Sequence, residues 1–134
     1  MLTVPQSTAP LTRKGRTMTE RITASDAPVR ARALDVSQSF IVQAPAGSGK
    51  TELLVQRLLA LLATVDDPAE VLAITFTRKA AQEMRERLIG ALEQAATTTE
   101  ADSARLTVVE RRRRALALPV LARDRAHEWH LREQ

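Results

Sequence analysis

Residues 43–51 read Gln-Ala-Pro-Ala-Gly-Ser-Gly-Lys-Thr, and their types and spacing are suited to phosphate chemistry. Gly47 and Gly49 let the backbone approach phosphate oxygens and adopt conformations closed to residues with a Cβ. Successive backbone N–H groups, followed by the N-terminus of a helix, form a cradle for an anion. Lys50 adds a positive charge, and the Thr51 hydroxyl can ligate Mg²⁺. The pattern therefore predicts a phosphate-binding turn.

The spacing matches the general phosphate-loop pattern G-x-x-x-x-G-K-[ST], with Ala44 at its first position. We expect Lys50 to face the β- and γ-phosphates of a nucleotide and Thr51 to hold its Mg²⁺, so these two are the candidate catalytic residues. The candidate nucleotide-binding residues are Ala44, Pro45, Ala46, Gly47, Ser48, Gly49, Lys50 and Thr51. The alternative is a glycine-rich turn between a strand and a helix that binds no ligand.

Local patterns predict the elements that must position this turn. Two apolar runs without polar alternation are typical of buried parallel strands, and the stretches between them have helical periodicity. The predicted elements are a short helix over 26–34, a strand over 39–44, a helix over 50–63, a strand over 71–76 and a helix over 78–95. The apolar side of the second helix is expected at Leu54, Leu58, Leu61 and Leu62. This order predicts a right-handed βαβ unit and hence an α/β fold.

The chain divides into three predicted parts. Residues 1–24 are rich in Thr, Ser, Pro and Arg and are predicted to be a disordered extension. Residues 25–96 hold the nucleotide-binding unit, and residues 97–134 a helical segment in which Pro119 either begins a helix or kinks one. Because sheets have about 4–6 strands, two strand candidates suggest an incomplete domain.

Composition excludes several classes of function. The 134 residues contain no cysteine, which removes disulfides and thiol chemistry and fits a reducing cytoplasm. The longest apolar run, 58–63, is far shorter than the ~20 residues of a membrane span, so no membrane association is expected. The net charge of +4 comes entirely from residues 1–32, which makes it weak support for a DNA-binding face.

A second motif narrows the class of nucleotide-binding protein. Residues 44–51, followed by Leu-Ala-Ile-Thr-Phe-Thr-Arg-Lys-Ala-Ala-Gln-Glu-Met-Arg-Glu-Arg over 72–87, resemble motifs I and Ia of UvrD/Rep-type superfamily 1 DNA helicases. The sequence from Gln43 to Leu54 is most similar to that of the helicase subunits of bacterial recombination nucleases, the AddA/RecB (exonuclease V β-subunit) branch.

The resemblance implies a P-loop NTPase with a partial RecA-like domain, followed by the start of a helical insertion. ATP and Mg²⁺ would be its cofactors, single-stranded DNA its substrate and a nuclease or helicase subunit its partner in repair or recombination. It implies that Thr75, Phe76 and Thr77 line the DNA path, with Arg78 beside them. The adenine-reading Gln of the family is replaced here by Val29.

Other interpretations remain open from the residues alone. Phe76 could be a core aromatic, and Arg78 with Lys79 a solvated pair. The chain ends before the acidic Walker B motif, the third motif and the arginines of a second RecA-like domain. We therefore expect the isolated 134 residues to hydrolyse little ATP. The alternatives are an inactive nucleotide-binding remnant of a truncated gene, or a small P-loop kinase or GTPase.

Overall fold

The computed structural model describes residues 27–133. The extension predicted to be disordered over residues 1–24 lies outside this range. The described part begins with a short helical stretch, α1, over residues 27–32. The elements that follow are α2 (Lys50–Leu62), a 3-10 turn (Pro68–Glu70), α3 (Arg78–Thr97), α4 (Glu100–Ser103) and α5 (Val108–His127). The helices predicted over 50–63 and 78–95 are confirmed to within two residues at each end.

Threonine side chains fix where α3, α4 and α5 begin. The hydroxyl of Thr77 accepts a hydrogen bond from the Ala80 N–H at 3.1 Å, and Thr107 accepts one from the Glu110 N–H at 3.2 Å. The Glu110 carboxylate in turn accepts from the Thr107 N–H at 2.7 Å, which completes a capping box. These contacts satisfy N–H groups that have no partner within the helix, so the helix starts are set locally.

The predicted α/β fold, a partial RecA-like domain with parallel strands, is wrong. Residues 27–133 form helices and irregular segments and contain no strand, so the segments over 39–44 and 71–76 make no strand pairing among these residues. Several of their apolar side chains point into solvent: Ile41 is 93% exposed and Ile74 86% exposed. A helix satisfies its own backbone hydrogen bonds, whereas a strand needs neighbours, and an isolated pair of strands is marginal in water. The apolar pattern of these segments was therefore not sufficient to form a sheet.

The core lies where α2, α3 and α5 pack against one another. Its buried residues recur at helical spacing on each helix: Val55, Leu59 and Leu62 on α2, Ala91, Leu92 and Ala95 on α3, and Ala117, Val120 and Leu121 on α5. The expected apolar side of α2 was largely misplaced, because Leu54 is 46% exposed while Val55 and Leu59 are buried. Alanines on α3 and α5 allow the three helices to approach closely.

Pro119 lies inside α5, and the helix continues through it from Val108 to His127. Of the two outcomes left open by the sequence, one helix spanning the proline is therefore the observed one. In the last turn of α5, the buried Asp124 carboxylate accepts a hydrogen bond at 3.0 Å from the N–H of Leu131, which lies past the end of the helix. Among the helices of residues 27–133, none combines the length and apolar composition that a membrane span requires.

The capping box of α5 should make stability depend on pH. Hydrogen bonds from Thr107, first from its side chain and then from its backbone, hold the pKa of the Glu110 carboxyl below its ordinary value of 4.5. A lowered folded-state pKa contributes stability that is complete above the unfolded pKa and is lost as the pH falls through the folded one. The free energy of unfolding of the wild type should therefore fall as the pH drops from about 5 to about 3. We expect this fall, measured by urea denaturation, to be smaller in Glu110→Gln. Identical pH dependence in the two proteins would show that the box does not couple to folding.

Candidate phosphate-binding site

The turn before α2 has the backbone that its glycines were expected to provide. Gly47 and Gly49 adopt left-handed conformations, with φ of 76° and 86°. The Ser48 N–H donates to the Pro45 carbonyl oxygen at 3.3 Å, which closes the turn. Residues with a Cβ are strained at these φ values, so the path of the chain into α2 depends on the glycines.

The N-terminus of α2 differs from those of α3, α4 and α5. Gly49 is its N-cap residue and provides no side chain to accept hydrogen bonds from the first turn. Threonines do so for α3, α4 and α5. Lys50 and Thr51 are exposed in the first turn of α2. The N–H groups, the helix dipole and the Lys50 charge at this end are thus open to an anion.

One hydroxyl of the turn also lacks a partner. The Ser48 Oγ atom is buried and makes no hydrogen bond with any described residue. Buried polar groups are nearly always paired, with protein, water or ligand. The turn therefore combines an uncapped helix, two left-handed glycines and one unsatisfied hydroxyl.

A cavity of about 260 Å³ lies beside this turn, between α1, α2 and the segment over 39–44. Its lining mixes apolar and cationic side chains: Val29, Arg30, Arg32, Ala33, Phe40, Ile41, Val42, Gln43, Ala44, Lys50 and Leu53. Val29, at the position where the resemblance predicts an adenine-reading glutamine, is among them. The lining contains three cationic residues and no acidic one, which favours an anionic ligand with an apolar part.

Two arginines hold the chain around the turn, and sequence reasoning assigned neither contact. Arg30 donates through Nη2 to the Ser48 carbonyl oxygen at 2.5 Å and through Nη1 to the Gly49 carbonyl oxygen at 3.4 Å. Arg57 on α2 donates to the carbonyl oxygens of residues 33, 35 and 38, and its guanidinium lies 5.4 Å from the centroid of the Phe40 ring. Arginine suits this task because one planar group carries five donors.

The segment that Arg57 holds contains its own local turn. The Asp35 carboxylate accepts hydrogen bonds from the Ser37 hydroxyl at 2.6 Å and from the Ser37 N–H at 3.0 Å. These bonds, the hydroxyl one first, lower the pKa of the Asp35 carboxyl from its ordinary value. The turn thereby presents the Asp35 and Gln38 carbonyl oxygens to Arg57.

An ion pair joins the first turn of α2 to α5. The Arg113 Nε atom donates to Glu52 Oε1 at 3.0 Å, and Nη2 donates to Oε2 at 2.7 Å. Gln56, buried one turn further along α2, donates to the same Oε1 at 2.9 Å. This two-pronged geometry is the strong form of an arginine–carboxylate pair. It neutralises the carboxylate adjacent to Thr51, where a negative charge would repel phosphate.

The candidate DNA-binding residues lie at the start of α3. Thr77 caps the helix, and the Thr75 hydroxyl donates to the Thr77 carbonyl oxygen at 2.9 Å. Phe76 is fully exposed, at 108%, and packs against no core. Arg78 and Lys79 are exposed in the first turn of α3, where Lys79 makes a weak ion pair with Glu83 at 4.0 Å.

The structure does not bring the two candidate sets onto one sheet edge, because residues 27–133 form no sheet. Thr75 lines a separate apolar groove between α2 and α3, while Ala44 and Lys50 line the cavity beside the turn. Within the described part of the chain, no hydrogen bond or ion pair joins 44–51 to 75–78.

Residues 26–118 match the family described as UvrD/REP helicase N-terminal domain. The chain is also similar to bacterial proteins named as subunits of an ATP-dependent helicase/nuclease. Identity is 46% over 71 residues with the one from Desulfitobacterium hafniense, 47% over 66 with that of Levilactobacillus brevis and 50% over 59 with that of Oceanobacillus iheyensis. These matches cover 51%, 49% and 42% of this chain and 5% of each relative. No solved structure matches the chain.

The left-handed backbone at Gly49 can be tested by an alanine substitution, with the same substitution at the helical residue Gly90 as control. A Cβ at Gly49 would meet the Arg30 guanidinium at 3.4 Å with φ at +86°, whereas a Cβ at Gly90, inside α3, meets nothing within 4 Å. We expect Gly49→Ala to lower the free energy of unfolding by about 1–3 kcal/mol. Gly90→Ala should raise it by about 0.5–1 kcal/mol. Urea denaturation of both variants checks the contrast, and a stabilising Gly49→Ala would contradict the described turn.

Proposed function

This chain belongs to the family of UvrD/REP helicase N-terminal domains, and we propose that it binds MgATP through residues 44–51 as part of an ATP-dependent DNA helicase. The observation that carries the proposal is the uncapped N-terminus of α2, preceded by two left-handed glycines and carrying Lys50 in its first turn. Membership of a helicase family also argues against the alternatives of a small P-loop kinase or GTPase.

The residues of the turn fit a triphosphate. The backbone N–H groups of residues 49–51 would take the phosphate oxygens, and Lys50 would supply the charge opposite the β- and γ-phosphates. The unpaired Ser48 hydroxyl offers one further donor. The adjoining cavity, with Val29 and Phe40 in its wall, would accept the base and sugar. The Val29 side chain has no hydrogen-bonding group, so the shape of the base would matter more here than its polar edge.

Mg²⁺ would depend on the nucleotide for most of its ligands. Thr51 supplies one hydroxyl oxygen, and residues 27–133 contain no group of three or more acidic or histidine side chains placed to hold a metal. Mg²⁺ is commonly bound through one or two protein groups together with substrate phosphates and water. We therefore infer that this chain binds the metal as MgATP and that the residues present here are suited to nucleotide binding more than to hydrolysis.

Single-stranded DNA is the proposed polymer substrate, bound through the start of α3. Phe76 offers an exposed ring for base stacking, and Arg78 with Lys79 offers charge for phosphates. Cations in the first turn of a helix oppose its dipole, and a bound phosphate would offset that cost. Thr75 and Thr77 shape the backbone beside the ring.

The relatives' names suggest the wider context of this function. They are called helicase/nuclease subunits, so we propose that the chain acts in DNA repair or recombination together with a partner protein. Such a protein would work where bacterial DNA is processed, in the cytoplasm.

Replacing Lys50 tests the nucleotide site. We expect Lys50→Ala to weaken MgATP binding by about 2 kcal/mol or more, because a charged hydrogen-bonding group facing the phosphates is lost. Lys79→Ala is the matched control, since Lys79 also lies exposed in the first turn of a helix. Titration with a fluorescent ATP analogue, displaced by ATP, measures both. Equal affinity of the Lys50→Ala protein and the wild type would refute the site, and no binding by the wild type would refute the proposed function.

Replacing Phe76 tests the DNA surface. We expect Phe76→Ala to weaken single-stranded DNA binding by about 1–3 kcal/mol with little change in salt dependence, because stacking is a short-range contact. Arg78→Gln should instead flatten the salt dependence, because each phosphate contact releases counterions. Leu72→Ala is the control for an exposed apolar side chain of the same segment. Fluorescence anisotropy at several salt concentrations separates the three variants.

The stability of the Phe76→Ala protein decides how a loss of affinity is interpreted. Because the ring is fully exposed, its removal should leave the melting temperature and MgATP affinity unchanged. A DNA affinity equal to that of the wild type would remove Phe76 from the proposed surface. A parallel fall in stability and ATP binding would make it a packing residue.

A further inference from the structure

Arg30 contacts the candidate phosphate-binding turn through the backbone carbonyl oxygens of Ser48 and Gly49. Resting on the proposed MgATP site, we propose that Arg30 is a positioning residue that sets the orientation of the peptide groups whose N–H donors face the phosphates. Arg30 belongs to α1, 18 and 19 residues before the two carbonyl groups that it contacts. It therefore ties the element before the turn to the turn itself.

Peptide geometry converts this contact into control of the N–H groups. In a planar trans peptide, the C=O of one residue and the N–H of the next point in opposite directions. The Ser48 carbonyl that accepts from Arg30 Nη2 shares its peptide with the Gly49 N–H. The Gly49 carbonyl shares its peptide with the Lys50 N–H and also accepts from the Leu53 N–H at 3.1 Å. Holding both oxygens toward Arg30 turns the N–H groups of Gly49 and Lys50 away from it.

The conformation of Gly49 makes this restraint necessary. With φ at +86°, Gly49 adopts a state that glycine can leave easily, since it has no Cβ to limit the alternatives. A Cβ placed on Gly49 would lie 3.4 Å from Arg30 Nη1 and 3.7 Å from Arg30 Nη2, in van der Waals contact with the guanidinium. The arginine therefore packs beside Gly49 and restricts the same peptide that must stay fixed.

The positioning role differs from a simple charge effect. Both terminal nitrogens of Arg30 donate to backbone oxygens of the turn, while Lys50 supplies the charge in the first turn of α2. A lysine at position 30 would keep the positive charge and one donor direction but lose the planar fork. The two contributions can therefore be separated by substitution.

The test compares Arg30→Met, Arg30→Lys and the wild-type 134-residue chain, with Arg111→Met as control for loss of an exposed arginine on α5. Affinities for MgATP and for tripolyphosphate are measured by displacement of a fluorescent ATP analogue. Amide signals of Gly49 and Lys50 are followed by ¹H–¹⁵N NMR without nucleotide. Melting temperature is recorded for each protein.

We expect Arg30→Met to weaken MgATP and tripolyphosphate by the same factor, about 10- to 100-fold, because one or two charge-assisted N–H contacts are misaligned. Arg30→Lys should recover part of this loss, and Arg111→Met should bind as the wild type does. In Arg30→Met and Arg30→Lys, the Gly49 and Lys50 amide signals should shift while the remaining spectrum and the melting temperature stay close to wild type.

Wild-type phosphate affinity in Arg30→Met, with binding lost in Lys50→Ala, would overturn the positioning role and leave the proposed function intact. If Arg30→Met does not fold, unchanged Gly49 and Lys50 signals in a folded Arg30→Lys would overturn it equally. Failure of the wild type to bind MgATP would sink the proposed function. The NMR comparison would still decide whether Arg30 orients the turn.

Discussion

The packing of α2 against both α3 and α5 is the interaction on which the remaining structure depends. Val55, Leu59 and Leu62 supply the α2 side of the core, and Leu59 is completely buried. The same helix begins at the candidate phosphate-binding turn, with Lys50 and Thr51 in its first turn. Burying one face of α2 therefore also fixes the direction in which its N-terminus points.

Arginine side chains perform much of the backbone pairing that a sheet would otherwise provide. The irregular segments on both sides of α2 carry carbonyl groups without strand partners. Arg57 takes three of them before the turn, and Arg123 on α5 donates to the Val65 carbonyl oxygen at 2.7 Å after the helix. Since an unpaired buried carbonyl is costly and arginine has several donors in one plane, few side chains are needed to hold these segments.

The helical segment after residue 97 contributes to the site as well as to the core. Arg113 reaches Glu52 in the first turn of α2, and Trp129 donates through Nε1 to the Asp66 carbonyl oxygen at 3.1 Å near the other end. The run Arg111 to Arg114 is consequently not a uniform basic surface. Arg113 and Arg114 are engaged with acidic or carbonyl groups, while Arg111 is exposed. The fold thus places neighbouring arginines of this run in different environments.

The sequence by itself determined the features that depend on nearby residues. The positions of α2 and α3 followed from apolar periodicity, and the special backbone of the turn before α2 followed from Gly47 and Gly49. The helicase family was recognisable because each of its two motifs, at 44–51 and at 72–87, is a continuous stretch of sequence.

Only the tertiary structure decided what depends on distant partners. The segments over 39–44 and 71–76 have strand-like composition but no neighbours to pair with, so no sheet forms among residues 27–133. The sequence of α2 is apolar nearly all round, so its buried face was set by where α3 and α5 pack. The contacts of Arg30, Arg57 and Arg113 join residues 18 to 61 positions apart. Local spacing has no information about such contacts, because they exist only once the helices have come together.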